Sequence, residues 1–276
     1  MTDAEVTVLG STNARPGADN STSPSSHLGF GIDIGGSGVK GAIVDLRTGE
    51  FVGERHRIDT PQPATPEAVS EAVITIVEHF GWTGPVGLTV PGVVRDGIMR
   101  TAANIDASWK GTDLVSMFST KLGGRRVSVL NDADAAGLAE LRFGGGADLD
   151  TDGTVILLTF GTGIGSALLY NGTLVPNTEF GHLEVGGKEA EHQASAKVRD
   201  DKGWSLKKWS SKVSTVLAHY EAIFSPDLFI AGGGISSKGD QWIPMLTNAT
   251  PVVAAKLRNR AGIVGAAMAV DDGLSF

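Results

Sequence analysis

No cysteine occurs among the 276 residues, which removes disulfides, thiolate zinc sites and cysteine nucleophiles together. No apolar run is long enough to span a bilayer. The N-terminus lacks a charged region followed by an apolar one, so a secretory leader is not expected. Positive charge is in deficit: 23 Lys and Arg face 31 Asp and Glu, a net charge of −8. That balance argues against nucleic acid and anionic membranes as partners. Together these absences point to a reducing, cytoplasmic setting. What is present is an ordinary globular composition, 41% hydrophobic and 20% charged, long enough for one large domain or two modest ones.

Residues 1–27 are rich in Ser, Thr, Asn, Pro and Gly. They hold too little apolar surface to offset the entropy of ordering and are expected to form a disordered arm. Residues 29–46 then read as strand, glycine turn, strand, and residues 51–58 as a third strand. Thr65, Pro66 and Glu67 open a helix: a capping hydroxyl, a proline at the first helical position and a carboxylate near the positive end of the dipole. Residues 86–90 and 127–130 are short apolar segments of the kind found in parallel sheets, and 132–143 is expected to be helical. A second cycle follows. Residues 154–170 again read as strand, glycine turn, strand, with Asn171 and Gly172 as a tight hairpin turn. Residues 33–44 (DIGGSGVKGAIV) align with 159–170 (TFGTGIGSALLY), so the two halves look like structural duplicates. A helix over 205–224, a buried strand over 227–231 and a terminal helix over 263–270, packing back on the first half, complete the expectation.

The segment GGSGVKG matches G-x-G-x-x-G, but the β-branched run Ile43, Val44 follows it instead of a helix, which excludes a Rossmann dinucleotide site. No P-loop pattern occurs. The remaining reading is a glycine hairpin whose amides approach phosphate oxygens. Asp33 before this turn and Lys40 after it fit that role. A carboxylate beside a phosphate calls for a bridging cation, so Asp33 is expected to hold Mg²⁺ through water. The second turn adds amides and the Thr162 hydroxyl. The third, Gly232 to Gly234, suits a ribose and base. Asn131 and Asp132 stand where an apolar strand meets a helix, the ligand edge of a parallel sheet. Phosphoryl transfer needs an acceptor hydroxyl held in line and a base for its proton. Asp132 fits the base and Asn131 a hydroxyl-positioning partner, while Asp134 reads as a solvated or structural acid. Residues 197–212 carry Lys197, Arg199, Lys202, Lys207, Lys208 and Lys212 against Asp200 and Asp201; this is either a solvated helix face or a docking surface for polyphosphate or a nucleotide tail.

In their order, DIGGSGVKG, Pro91-Gly92, LNDAD, TFGTGIG, EFGH and AGGGIS resemble the sugar kinases of the ROK group, and among them the bacterial polyphosphate glucokinases. The resemblance runs from about residue 30 to about residue 270. It implies an α/β, actin-like ATPase (ribonuclease H-like) fold with two duplicated domains around a cleft. The domains would be 28–135, joined by the terminal helix at about 261–272, and 136–260. It implies transfer of phosphate from polyphosphate or ATP to the 6-hydroxyl of glucose, with mannose as a second acceptor. Carried over by motif, Asp132 is the general base. Asn104, Asn131, Glu179, His182 and Glu191 contact the sugar. Asp33, Gly35, Gly36, Ser37, Gly38, Lys40, Thr162 and Gly163 form the two phosphate loops, and Gly233 the nucleotide loop. Many members bind structural zinc through a cysteine cluster and a histidine. Without cysteine no zinc is expected, and His192 has no evident partners. The alternatives are an ATP-only glucokinase, a kinase for another hexose, and a non-catalytic sugar-responsive regulator. For a regulator, residues 1–27 are too short and polar to supply a helix-turn-helix. A monomer or homodimer is expected.

Overall fold

A computed structural model of the chain describes residues 27–102, 105–148, 152–274 and 276. The arm expected over 1–27 therefore lies, apart from His27, outside the described residues, as does Asn104.

The first half folds as β1 (Leu28–Gly35), β2 (Gly38–Asp45), β3 (Glu50–Phe51), β4 (His56–Ile58), α1 (Pro66–His79), β5 (Val86–Val90), β6 (Val94–Arg95), β7 (Ile98–Met99), α2 (Leu114–Lys121), β8 (Val127–Asn131) and α3 (Asp132–Phe143). Its main sheet has the order β3-β2-β1-β5-β8, with β4 also pairing β2, while β6 and β7 form a separate ribbon. The second half comprises β9 (Thr154–Phe160), β10 (Ile164–Tyr170), β11 (Thr173–Val175), α4 (Glu191–Ala194), α5 (Ala196–Asp201), α6 (Leu206–Phe224), β12 (Leu228–Gly232), α7 (Gly239–Trp242), β13 (Val252–Ala254) and α8 (Ala261–Asp271). Its sheet has the order β11-β10-β9-β12-β13. In each sheet an antiparallel hairpin is followed by two parallel strands. The repeat legible in the glycine motifs is thus a repeat of sheet topology.

Local chemistry sets most element ends. The Thr65 hydroxyl accepts from the Ala68 amide at the start of α1, and Ser205 does the same for Lys208 at the start of α6. Asn171 (φ 47°) and Gly172 (φ 76°) make the left-handed turn between β10 and β11. One expectation fails. Residues 51–58 are not one strand, because Gly53 takes φ 80° and Val52 turns outward, so β3 and β4 meet β2 separately.

The strands carry side chains into cores on both faces, which explains their unbroken apolar runs. One core lies between the first sheet and α1 with α2, and another between the second sheet and α6. The central core joins the halves: Ala42, Val44 and Leu130 meet Leu157, Leu169 and Ile230 through α3 and α8. The terminal helix does pack back on the first half, against β1 and β5. It is built from small residues, and it needs them. A Cβ on Gly87 would stand 1.8 Å from the Ala266 carbonyl oxygen, and one on Gly265 would stand 1.9 Å from the Ala135 oxygen. Glu140, fully buried on α3, accepts from the backbone amides of Gly145 (2.9 Å), Lys256 (2.8 Å) and Leu257 (2.7 Å). It thereby satisfies one donor in the loop after α3 and two in the loop that leads into α8. Among the described residues no helix is long and apolar enough to cross a membrane.

Candidate active site

A cavity of about 670 Å³ opens between the two halves, lined by Asn131, Asp132, Glu179, His182, Glu191 and the loop from Gly161 to Gly165, with Pro91 and Gly92 on the opposite wall. The described sugar-contact candidates and the second phosphate loop are therefore brought to one place from segments far apart in sequence.

Asp132 is the first residue of α3. Asn131 caps that helix: its Oδ1 accepts from the amides of Ala133 (2.8 Å) and Asp134 (3.2 Å), and its Nδ2 donates to the Gly92 carbonyl (3.2 Å). The cap oxygen is committed to the helix, while the amide braces the far wall of the cavity. Asp132 Oδ1 accepts from the Ala133 amide at 2.8 Å; the other oxygen has no partner among the described residues. Solvent reaches the Asp132 carboxyl through the cleft, yet protein surrounds it on its other sides. Desolvation, then the nearby charges of Asp33 and Glu179, push its pKa up to about 6. A base must be unprotonated to accept, so the expected acid limb of kcat/KM falls as pH drops through about 6. It should approach one decade per pH unit, read in the free enzyme with glucose as varied substrate. A flat profile from pH 5 to 7 would remove a raised carboxylate from the rate-determining chemistry.

Asp134 is not solvated. It is 1% exposed, accepts from the Asn177 amide at 2.7 Å, and is pushed up to about 7 by burial, with Glu179 and Asp132 adding repulsion. Glu179 is likewise raised, chiefly by desolvation. His182 projects into the cleft with Nδ1 3.1 Å from Glu189 Oε2, and Glu179 and Glu191 lie within 4.0 Å of its ring nitrogens. The Glu189 hydrogen bond raises its pKa and favours the imidazolium. Two points differ from expectation here. Glu189 was not anticipated, and His192 does have partners, standing 3.7 Å from Glu189 and 3.8 Å from Glu191. His182, Glu189 and Glu191 place one donor atom each within 4.8 Å of one another, a donor set of one imidazole and two carboxylates without sulfur.

Glu191, on α4, also braces the Gly161–Gly165 loop. Its Oε2 accepts from the Ile164 amide at 3.3 Å, and a Cβ on residue 163 would stand 2.3 Å from that oxygen, so glycine there is a matter of space. The loop is closed by the Gly161 amide on the Gly163 carbonyl and by the Lys197 amide on the Gly161 carbonyl, each at 3.0 Å. The basic stretch thus begins against the Gly161–Gly165 loop itself. Lys197 pairs with Asp201 and Arg199 with Asp200. Lys202 and Lys208, both exposed, sit 4.8 Å and 5.1 Å from the Trp204 ring centre.

The glycine turn from Gly35 to Lys40, expected to contact phosphate, lines neither this cavity nor the next. Asp33, near the end of β1, does not line the cavity either, although its charge is felt at Asp132; its Oδ1 accepts the Thr89 hydroxyl at 2.9 Å and its Oδ2 is 3.5 Å from Lys40 Nζ. Thr89 was invisible to motif reading, although it is the register partner of Asp33 on the adjacent parallel strand. Two further side chains hold this loop: Arg57 donates to the Ser37 carbonyl (2.9 Å) and Thr60 to the Gly35 carbonyl (2.5 Å). With one oxygen committed and the other partly open, Asp33 fits a cation held through water. Gly233 lines a second cavity of about 450 Å³ with Gly234, Ser236, Ser237, Arg258 and Asn259.

The family model described as "ROK family" matches residues 29–198. The polyphosphate glucokinase of Mycobacterium tuberculosis is 60% identical over 241 residues, covering 87% of this chain and 90% of that protein. Among solved structures, the inorganic polyphosphate/ATP-glucomannokinase of Arthrobacter sp. strain KM superposes with a TM-score of 0.82 at 49% identity, covering 89% of this chain and 99% of that one. A ROK family glucokinase from Streptomyces griseus, in complex with glucose and AMPPNP, gives a TM-score of 0.73 at 25% identity over 87% of this chain and 98% of that one.

Proposed function

The chain belongs to the ROK family, and on that premise we propose that it is a glucokinase transferring a phosphoryl group from inorganic polyphosphate or ATP to the 6-hydroxyl of glucose. The observation that carries this is the single cavity holding Asp132, Glu179, His182 and Glu191 against the Gly161–Gly165 loop. In the proposed step the 6-hydroxyl oxygen bonds to the terminal phosphorus of the donor while the bond from that phosphorus to the bridging oxygen breaks. Asp132 takes the hydroxyl proton. Glu179, His182 and Glu191 receive the other sugar hydroxyls, and Asn131 braces the opposite wall. The Thr162 hydroxyl and the loop amides stabilise charge on the transferred group. Mg²⁺, when held by Asp33 through water, would neutralise donor phosphate charge. Gly35, Gly36, Ser37, Gly38 and Lys40 would contact the donor from the first half, and the cavity at Gly233 would take the adenosine of ATP. We place the division of the actin-like fold at residues 135 and 136, with α8 returning to the first half. We assign a cytoplasmic monomer or homodimer that engages neither nucleic acid nor membranes.

The test is a coupled assay for glucose 6-phosphate with Mg²⁺, offering polyphosphate and ATP separately. Product from both supports the reading; product from ATP alone reduces the protein to an ATP glucokinase, and product from neither overturns it. The likeness to a glucomannokinase makes mannose the next acceptor to try. The route of a long donor is read with Lys202→Gln combined with Lys208→Gln. Loss of these two exposed charges is expected to raise KM for long-chain polyphosphate roughly fivefold at low salt, fading as salt rises. KM for ATP should stay put. An equal rise for both donors would make the Trp204 cluster a merely structural feature.

A further inference from the structure

Asn177 joins three parts of the cleft that the motifs leave unconnected. Its backbone takes φ 61°, a left-handed conformation that asparagine tolerates better than most residues. Its amide donates to Asp134 Oδ2 on the catalytic helix at 2.7 Å. Its side chain crosses to β6 in the first half: Oδ1 accepts from the Val94 amide at 2.9 Å and Nδ2 donates to the Val94 carbonyl at 2.7 Å. Val94 is fully buried and lies two residues after Gly92, the wall residue braced by Asn131. On the other side of Asn177, Ser166 Oγ donates to the Thr178 carbonyl (2.7 Å) and accepts from the Phe180 amide (2.9 Å). Glu179 is therefore held on both flanks, by the Asn177 anchor before it and the Ser166 anchor after it.

Resting on the glucokinase reading, we propose that Asn177, seated on Asp134, is a positioning residue that fixes the Glu179 loop against the wall at residues 91–94 and so sets the width of the hexose site. The two bonds to Val94 reproduce the pairing a neighbouring strand would make, so they constrain direction as well as distance. Asp134 is the seat. It is buried, one of its oxygens has no partner among the described residues, and its remaining bond is the one to Asn177. The clasp acts on the acceptor side, since it touches neither the Gly161–Gly165 loop nor the cavity at Gly233.

Asn177→Gly tests this without backbone strain, because glycine accepts the left-handed conformation. The expected result is a glucose KM raised about tenfold, the scale of two neutral hydrogen bonds, with KM for ATP and polyphosphate within about twofold. Asp134→Ala should reproduce that pattern. Asp134→Asn, which keeps an acceptor for the Asn177 amide, should restore glucose KM towards the wild-type value. The double variant Asn177→Gly with Asp134→Ala should be little worse than either single one, as for residues acting in one chain. Unchanged glucose KM in Asn177→Gly, an equal rise for donor and acceptor, or failure of Asp134→Asn to restore it would each overturn the clasp alone. A wild-type chain that turns over no hexose would overturn the glucokinase reading and the clasp with it.

Discussion

Asp132→Asn is expected to lower kcat for glucose phosphorylation by about 10²- to 10⁴-fold, the range for losing a positioned general base, while glucose binding changes little. The geometry separates chemistry from structure at this position. The bond that seats the residue runs from the Ala133 amide to Oδ1, and an amide oxygen accepts it equally well. Asn131 caps α3 independently of residue 132. What the substitution removes is the proton acceptor facing the cleft. The melting temperature should not fall: a carboxylate whose pKa the fold raises to about 6 is held unfavourably when charged at neutral pH, and a neutral amide relieves that. Glucose binding by calorimetry, single-turnover rates and thermal melting together decide the matter. A variant with near-normal turnover would remove Asp132 from the base role, and one that neither binds glucose nor melts normally would show a structural role instead.

Gly87→Val is expected to have the largest effect on stability. The space for a side chain at this position is occupied by the backbone of α8, with the Ala266 oxygen 1.8 Å from where Cβ would be built. α8 cannot retreat, since on its other side a Cβ built on Gly265 would likewise stand 1.9 Å from the Ala135 carbonyl oxygen of α3. The helix is wedged between sheet and helix with backbone against backbone on both sides. The usual cost of overpacking, ~1–3 kcal/mol, assumes that side chains can yield. Here a main chain must move, so about 4 kcal/mol is the expected scale, a large share of a typical total of ~5–15 kcal/mol. For a chain of this size that lowers the melting temperature by roughly 10 °C. Because α8 and α3 share the central core, activity should fall at temperatures where the variant is still folded. A melting temperature within a degree or two of the wild type would mean that α8 slides on the sheet, contrary to the packing described.

Within a few residues, backbone conformation and capping obey rules written in the residues themselves. The two glycine hairpins, the Thr65-Pro66 helix start, the Asn171-Gly172 turn and the strand-to-helix junction at Asn131 and Asp132 were all legible for that reason. The duplication was legible because the same hairpin chemistry recurs at corresponding places in both halves. The family motifs then located Glu179, His182 and Glu191, which local rules alone would have left as ordinary acids and a histidine. Where the chain misled, tertiary packing had overridden the local pattern: β3 and β4 part at Gly53 although residues 51–58 carry a strand-like pattern. For Asp134, read as a solvated or structural acid, only packing decided for the structural alternative.

By itself the sequence determined the fold class, most of the element order, the glycine turns and the strand-to-helix junction at Asn131 and Asp132, because each depends on covalent neighbours or on a recurring motif. Only the tertiary structure decided which distant groups meet. Sheet register set Thr89 beside Asp33. Packing of α3 against the loop before α8 gave Glu140 two of its three amides, folding of the segment after β11 put Glu189 on His182, and closure of the two halves brought Asn177 to Val94. Most of these pairings join residues more than fifty positions apart, and the one between His182 and Glu189 spans an irregular loop; no periodicity or spacing encodes them, since they follow from how whole layers stack once the chain has already chosen its elements.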